Sequence, residues 1–373
     1  MKKIIALLGA VLILTVGARA VEVAAPSALL MEKETGTVLY AKDEHAKLEP
    51  ASVTKVMTIL LTMEAIDSGQ LAYDTMVTAS AHACSMGGSQ IWLKENEQMT
   101  VSDMLKAVCV VSANDCAVAL GEQIAGSEEA FVERMNQRAK ELGMNDTTFK
   151  NATGLPAEGH VTSAHDIALM SRELILRHPD IRQYTTIWMD TLRGGQSQLV
   201  NTNKLIRFYE GATGLKTGST DAAGYCLSAT AERDGMELIA VIMKDATSAQ
   251  RFEDAKALLS YGFSTYTLKN VAPEMPLAPV PVTLGTQATV QPVLWEGTSL
   301  LLEKAKAGDL TQTVTLAESV PAPVEIGAQL GTLTVTSGEE TIAEIPILAG
   351  EAVPRVTYGQ MLLRLWKLAF LSD

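Results

Sequence analysis

The sequence predicts an α/β domain followed by a small all-β domain and a C-terminal amphipathic helix. Three observations carry this. From Ala28 to about Tyr266, runs with helical spacing of apolar residues alternate with strand-like runs. Near Asn270 the composition changes to a proline-rich stretch, with Pro273, Pro276, Pro279 and Pro281 forming a stiff, extended connector. Beyond it, strict alternation appears, and the chain closes on a dense apolar segment from Tyr358 to Leu371.

Each element has a local reason. Ala28–Glu32 and Thr37–Tyr40 flank Glu34-Thr35-Gly36 and read as a hairpin. Pro50 precedes a helical run from Ser52 to Asp67, and Gly69 lies just past its end. Thr100-Val-Ser-Asp103 is a capping-box pattern opening a helix to about Val110. Helical runs follow at Asp115–Ile124 and Ser127–Leu142. Gly224–Thr230 and Glu237–Met243 read as adjacent strands joined through Asp234-Gly235. In the β region, Leu330, Leu333 and Val335 alternate up to a Ser337-Gly338 turn, and Ile342, Ile345 and Ile347 continue after it.

The two ends read differently. Residues 1–20 have the form of a secretory signal: Lys2 and Lys3, an apolar run from Ile4 to Val16, and Ala18-Arg19-Ala20 as the cleavage site. An uncleaved anchor is the alternative, for which the apolar run is short. In the tail, Met361, Leu362, Leu365, Trp366, Leu368, Ala369 and Phe370 crowd much of a helix while Gln360, Arg364 and Lys367 share a stripe. That pattern suits a helix lying in a membrane interface, with a helix packed on the protein's own body as the alternative. The expected domains are 1–20 signal, 21–270 catalytic, 271–352 β-rich and 353–373 amphipathic anchor helix. The expected location is exported, on the outer face of the cytoplasmic membrane.

Composition narrows the function. The chain has 30 basic and 43 acidic residues, net −13; without Lys2, Lys3 and Arg19 the balance is 27 against 43, or −16. No basic stripe with interleaved aromatics is present, so nucleic acid is not an expected partner. Cys84, Cys109, Cys116 and Cys226 form no CxxC pair or zinc spacing and read as small apolar thiols. The five histidines make no HExxH pattern, so neither a metal nor a cofactor is expected.

Three short motifs carry chemistry. A serine hydroxyl is a poor nucleophile until a base takes its proton. A lysine serves only when desolvation and neighbouring cations depress its ammonium towards neutrality. Ser52 and Lys55, three apart on a helix, lie on one face within reach. At a helix start, the dipole also favours developing negative charge. On the order of one SxxK arises by chance in a chain of this length, so placement is what gives the pattern weight. Ser112-Ala113-Asn114 falls between two helical runs, where Ser112 can relay a proton and Asn114 can meet a substrate amide; an ordinary capping turn is the alternative. Lys216-Thr217-Gly218 leads into a strand whose edge can hold an extended peptide, with Lys216 supplying positive potential.

In this order the motifs resemble the penicillin-recognising serine enzymes. Pro50-Ala-Ser-Val-Thr-Lys-Val-Met-Thr58, Ser112-Ala-Asn-Asp115 and Gly214-Leu-Lys-Thr-Gly-Ser-Thr220 resemble the low-molecular-mass penicillin-binding proteins that are D-alanyl-D-alanine carboxypeptidases. Asn151-Ala-Thr-Gly-Leu155, His160-Val-Thr-Ser-Ala164 and Arg251 also fit. The resemblance implies a β-lactamase/transpeptidase-like catalytic domain, with a central antiparallel sheet flanked by helices. It implies substrates among peptidoglycan stem peptides ending in D-Ala-D-Ala, β-lactams as acylating inhibitors, and a membrane surface met by the C-terminal helix. By position, Ser52 is the implied nucleophile, Lys55 the base and Ser112 the proton relay. Asn114, Lys216, Thr217, Gly218, Ser219, Thr220 and Arg251 are the implied substrate-binding residues. The backbone N–H groups of Ser52 and Ser219 are the implied oxyanion hole, and Thr217, Thr220 and Arg251 the grip on the terminal carboxylate. A surface salt-bridging role is the alternative for Arg251. His160 is expected to fix a loop, and Gly87-Gly-Ser89 is given no catalytic role. A β-lactamase of the same fold and a non-catalytic penicillin-sensing or wall-binding homologue are the rivals; Ser-Ala-Asn in the middle motif and the extra β domain favour the carboxypeptidase.

Overall fold

A computed structural model describes residues 21–273, 276–294 and 298–370. The expected signal, residues 1–20, lies outside the described residues. So do residues 274–275 of the connector and 371–373 of the tail.

The first domain is built on an antiparallel sheet. Its strands are β1 (Ser27–Glu32), β2 (Val38–Lys42), β3 (Ala212–Thr220), β4 (Gly224–Arg233) and β5 (Met236–Asp245). Among the described residues they are arranged β2-β1-β5-β4-β3. Leu30 of β1 faces Ala240 of β5 and Thr217 of β3 faces Leu227 of β4. The expected turns are present: Gly36 at φ 69° in the first hairpin, Asp234 at 50° and Gly235 at 76° between β4 and β5. Those positive angles are what a tight hairpin turn requires.

Side chains on β5 alternate between two cores because successive Cβ atoms point to opposite faces. Leu238, Ala240 and Ile242 pack with Phe252, Leu258 and Phe263 of the helix Ser248–Thr265. Ile239, Val241 and Met243 join the larger core on the other face. The sheet is therefore the middle of three layers, as the resemblance implied. The longer helices among the described residues are α1 (Lys55–Asp67), α2 (Val101–Val110), α3 (Asn114–Ala125), α4 (Glu128–Glu141), α5 (Ala164–Arg177), α6 (Ser248–Thr265) and, in the tail, α7 (Tyr358–Phe370). The run expected as one helix from Ser52 is a 3-10 turn, Ala51–Thr54, feeding α1 at Lys55. Caps match the reading: Thr100 Oγ1 accepts from Asp103 N (3.1 Å) and Ser127 Oγ from Ala130 N (3.2 Å). All four cysteines are free; Cys109, Cys116 and Cys226 are buried and Cys84 is partly exposed.

Strand Tyr266–Asn270 follows α6 directly and pairs with Ser299–Glu303, which carries the chain into the β-rich part. There, Gln329–Ser337 and Glu340–Ala349 form the expected hairpin around Gly338, and Leu310–Leu316 adds to one side. Leu333, Val335, Ile345 and Ile347 are its buried face.

The tail requires a correction. No helix among the described residues is long and apolar enough to cross a membrane. The α7 helix is tied to the β-rich domain: Arg364 Nη1 donates to Gly285 O (3.0 Å) and Nη2 to Thr286 O (2.6 Å). The cation expected among lipid headgroups is thus bonded to the protein's own backbone. The exported, peripheral location on the outer face of the cytoplasmic membrane, reached through this helix, does not stand.

Candidate active site

Ser52 sits half-buried in the turn that opens α1, one residue after Ala51, whose φ of 47° is unusual for a residue with a side chain. Lys55 is fully buried and its Nζ lies 2.9 Å from Ser52 Oγ. Nζ also donates to Thr153 O at 2.7 Å. Desolvation, reinforced by the neighbouring Lys216 cation, holds Lys55 well below the usual lysine range, with Asp115 pulling weakly the other way. A neutral amine carries two N–H groups and one lone pair. With one N–H on Thr153 O, the lone pair can face the Ser52 hydroxyl.

The carbonyl on Lys55 is held by a turn folded around one side chain. Asn151 Oδ1 accepts from Thr153 N (3.1 Å) and Gly154 N (2.7 Å), and its Nδ2 donates to Leu155 O (2.9 Å). Thr58 Oγ1, one turn along α1, donates to Ala152 O at 2.7 Å. Gly154 has φ +82°, and a Cβ there would lie 1.8 Å from Ala51 O. The turn and the Ser52 segment are therefore in direct backbone contact, with no room for a side chain. His160 holds the same region. Its Nδ1 accepts from Lys150 N (3.2 Å), so Nε2 carries the proton and donates to Thr54 Oγ1 (2.9 Å). Burial lowers His160 to about 4, and the neutral ring fixes a loop, as the sequence suggested.

The second motif sits where α2 ends and α3 begins. Ser112 is buried with φ 65°, and its Oγ has no hydrogen-bond partner among the described residues; the same holds for Asn114 Oδ1. Asn114 Nδ2 donates to Gly87 O (2.6 Å) and its backbone N to Ser89 O (2.7 Å). The Gly87–Ser89 loop is thus a wall for this motif. Asp115, which the sequence reading passed over, secures the rest of that wall: its carboxylate accepts from Ile91 N (3.1 Å), Leu93 N (3.0 Å) and Cys116 N (2.9 Å). Asp115 sits in the first turn of α3, where an acidic residue is favoured, but nothing local reveals its partners across the loop.

The third motif lies on β3, the edge strand beside β4. Lys216 is buried, its Nζ donating to Thr217 O (2.9 Å). Burial, with some help from Arg251, lowers it to about 7, opposed by Cys109. Cys109 itself is pushed up to about 12 by burial and stays a thiol. Gly218 backs directly onto Ser52: an added Cβ would lie 2.8 Å from Pro50 O and 2.9 Å from Ser52 N. Ser219 is exposed, and Thr220 Oγ1 accepts from Ala223 N (3.1 Å). Arg251, from the first turn of α6, is buried rather than a surface residue. Its Nη1 donates to Gly218 O (3.0 Å) and Cys226 O (3.3 Å), and its guanidinium sits 4.8 Å from the Phe252 ring centroid.

The fold therefore joins Ser52 to Lys55 by a hydrogen bond, Lys55 to Lys216 electrostatically, and Gly218 to the Ser52 backbone. Ser112 and Asn114 are fixed on the adjoining turn, without a hydrogen bond to the pair. This is equipment for acyl transfer: a half-exposed hydroxyl, a neutral amine on it, a second buried cation, and a strand edge alongside.

Comparisons with known proteins bear on the family and the fold. A family described as D-alanyl-D-alanine carboxypeptidase matches residues 14–247, and one described as penicillin-binding protein 5, C-terminal domain, matches residues 266–355. D-alanyl-D-alanine carboxypeptidase DacF of Bacillus subtilis is 42% identical over 345 residues, covering 91% of this chain and 88% of its own length. The crystal structure of penicillin binding protein 5 from Haemophilus influenzae superposes with a TM-score of 0.80 at 27% identity, over 91% of this chain and all (100%) of that one. Penicillin-binding protein D2 from Listeria monocytogenes, in its ampicillin-bound form, gives 0.60 at 33% identity, over 65% of this chain and 99% of that one.

Proposed function

The chain belongs to the D-alanyl-D-alanine carboxypeptidase family of low-molecular-mass penicillin-binding proteins, and we propose that it works through an acyl-enzyme on Ser52. Its reaction is removal of the terminal D-alanine from peptidoglycan stem peptides. Residues 21–270 form the catalytic unit of this proposal and 271–352 an accessory β-rich unit. The observation that carries the reading is the 2.9 Å contact between Ser52 Oγ and a wholly buried Lys55 Nζ beside a second lysine.

Neutral Lys55 takes the Ser52 proton as Oγ attacks the carbonyl carbon of the penultimate D-alanine. The oxygen that becomes negative is received by the backbone N–H groups of Ser52 and Ser219. The peptide nitrogen leaves as free D-alanine, protonated through Ser112, whose buried hydroxyl has no competing partner among the described residues. Asn114 and the edge of β3 at Lys216, Thr217 and Gly218 hold the stem peptide extended. Thr217 and Thr220 meet the terminal carboxylate, with the charge of Arg251 behind Gly218. Water then attacks the ester, restoring Ser52 and releasing a peptide shortened by one residue. β-Lactams enter by the same attack and leave slowly.

Against the β-lactamase rival stands Asp115. It is the carboxylate that bears on Lys55, and both its oxygens are taken up by backbone N–H groups of Ile91, Leu93 and Cys116.

The test is mass spectrometry after incubation with a D-Ala-D-Ala pentapeptide and, separately, with penicillin. The wild type should shorten the peptide by one alanine and carry a persistent adduct on Ser52, and Ser52→Ala should do neither. No shortening and no adduct sinks the proposal. An adduct without shortening supports the sensing rival, and rapid penicillin turnover the β-lactamase.

A further inference from the structure

The segment Asn201-Thr202-Asn203 has no role in the account above, yet it is built to present one group. Both asparagines are buried, at 5% and 2% exposure, while the threonine between them is exposed. Asn201 Nδ2 donates to Ile187 O (2.7 Å), and its Oδ1 accepts from Asn203 N (2.8 Å). Asn203 Nδ2 donates to Gly214 O (2.8 Å) on β3, and its Oδ1 accepts from Leu205 N (3.1 Å). Thr202 is pinned by its own backbone as well, N donating to Val110 O (3.0 Å) next to the Ser112 turn. So anchored, its hydroxyl lies 2.7 Å from Thr217 Oγ1 on the edge strand.

Two hydroxyls at that distance share one hydrogen. Whichever donates, the pair keeps one free O–H, and the direction is undecided until something binds. An anion at Thr217 selects one state: Thr202 donates to Thr217, and Thr217 donates outward. Without the Thr202 proton, Thr217 Oγ1 can still donate, but its oxygen loses the hydrogen bond that polarises it. We propose that Thr202 is a positioning residue for substrate binding: its hydroxyl clamps that of Thr217, so that Thr217 donates outward to the terminal carboxylate of the peptide. This rests on the acyl-enzyme reading above and adds a specificity element that the motifs do not contain.

The test compares the full chain with Thr202→Val and Thr202→Ser. The readout is the rate of Ser52 acylation by benzylpenicillin, which carries a carboxylate, and by its methyl ester, which does not. Valine keeps the shape and the backbone bond to Val110. With benzylpenicillin, Thr202→Val should lower acylation efficiency about fivefold, the scale of one hydrogen bond between neutral groups. With the ester it should match the wild type, and Thr202→Ser should restore the acid. A loss equal for acid and ester, no loss at all, or no rescue by serine overturns the clamp. If the wild type itself forms no adduct on Ser52, the parent reading fails; a normal wild-type adduct with an unchanged Thr202→Val refutes the clamp alone.

Discussion

Lys55 and Lys216 are both buried, and the charge of Lys216 makes that of Lys55 more costly. That effect has a definite sign. Lys216 lowers Lys55, so removing its charge lets Lys55 rise towards its ordinary value. Acylation needs Lys55 neutral, so the acid limb of the pH–rate profile should move to higher pH in Lys216→Gln. A stopped-flow profile of Ser52 acylation checks this, and an unmoved limb refutes the coupling. Stability carries the same sign. Lys216 falls from 10.5 to about 7 on folding, so between these values the unfolded chain binds more protons and stability rises with pH. Relative to wild type, Lys216→Met should therefore unfold at a higher temperature near pH 7. That advantage should fade towards pH 10.5, as thermal melts across the range will show. A buried lysine is retained here at a cost in stability, as expected where activity and stability trade against each other.

At the scale of elements, the site depends on turns more than on helices. The helix starts were legible because caps and periodicity are local: Thr100, Ser127 and the hairpin at Asp234-Gly235 each announce themselves within four residues. Ser52, Lys55 and Lys216 were legible because their spacing reports a shared face and a strand edge. The roles of Asp115 and Thr202 were not. Asp115 holds the backbone of Ile91 and Leu93 and Thr202 meets the Thr217 hydroxyl, all brought close by the fold, and a side chain's distant partners leave no periodic trace. The Gly154 turn is the sharpest instance. Gly154→Ala forces a side chain into φ +82° and onto Ala51 O, whereas at Gly126 the angle is +90° with nothing within 4 Å. Both pay for the backbone angle, about 1 kcal/mol. Gly154→Ala must also push the Ser52 turn away. It should lose acylation by at least an order of magnitude, while Gly126→Ala acylates normally and melts slightly lower. Equal acylation in the two variants would separate this turn from the site.

For the whole molecule, the layering was readable and the connectivity was not. Alternation along β5 announces a strand buried on both faces, but nothing local says that β1, two hundred residues earlier, lies against it. The tail shows the same limit in reverse. Its amphipathic pattern is real, and a pattern of that kind states that a face will be covered without stating by what. The structure shows a polar tie and not apolar cover: Leu362, Leu363, Leu365 and Trp366 stay exposed, while the two Nη groups of Arg364 reach the Gly285 and Thr286 carbonyls some eighty positions back. A guanidinium on two carbonyls is a charge-assisted contact with fixed geometry, and it orients α7 against the β-rich domain. Glutamine at this position keeps polarity but cannot span both acceptors. Arg364→Gln should therefore speed amide hydrogen exchange across Tyr358–Trp366 by about tenfold, since one to two kcal/mol of local closure is lost. Exchange in β1 to β5 should stay unchanged. If the tail exchanges at the same rate in both proteins, Arg364 does not hold it.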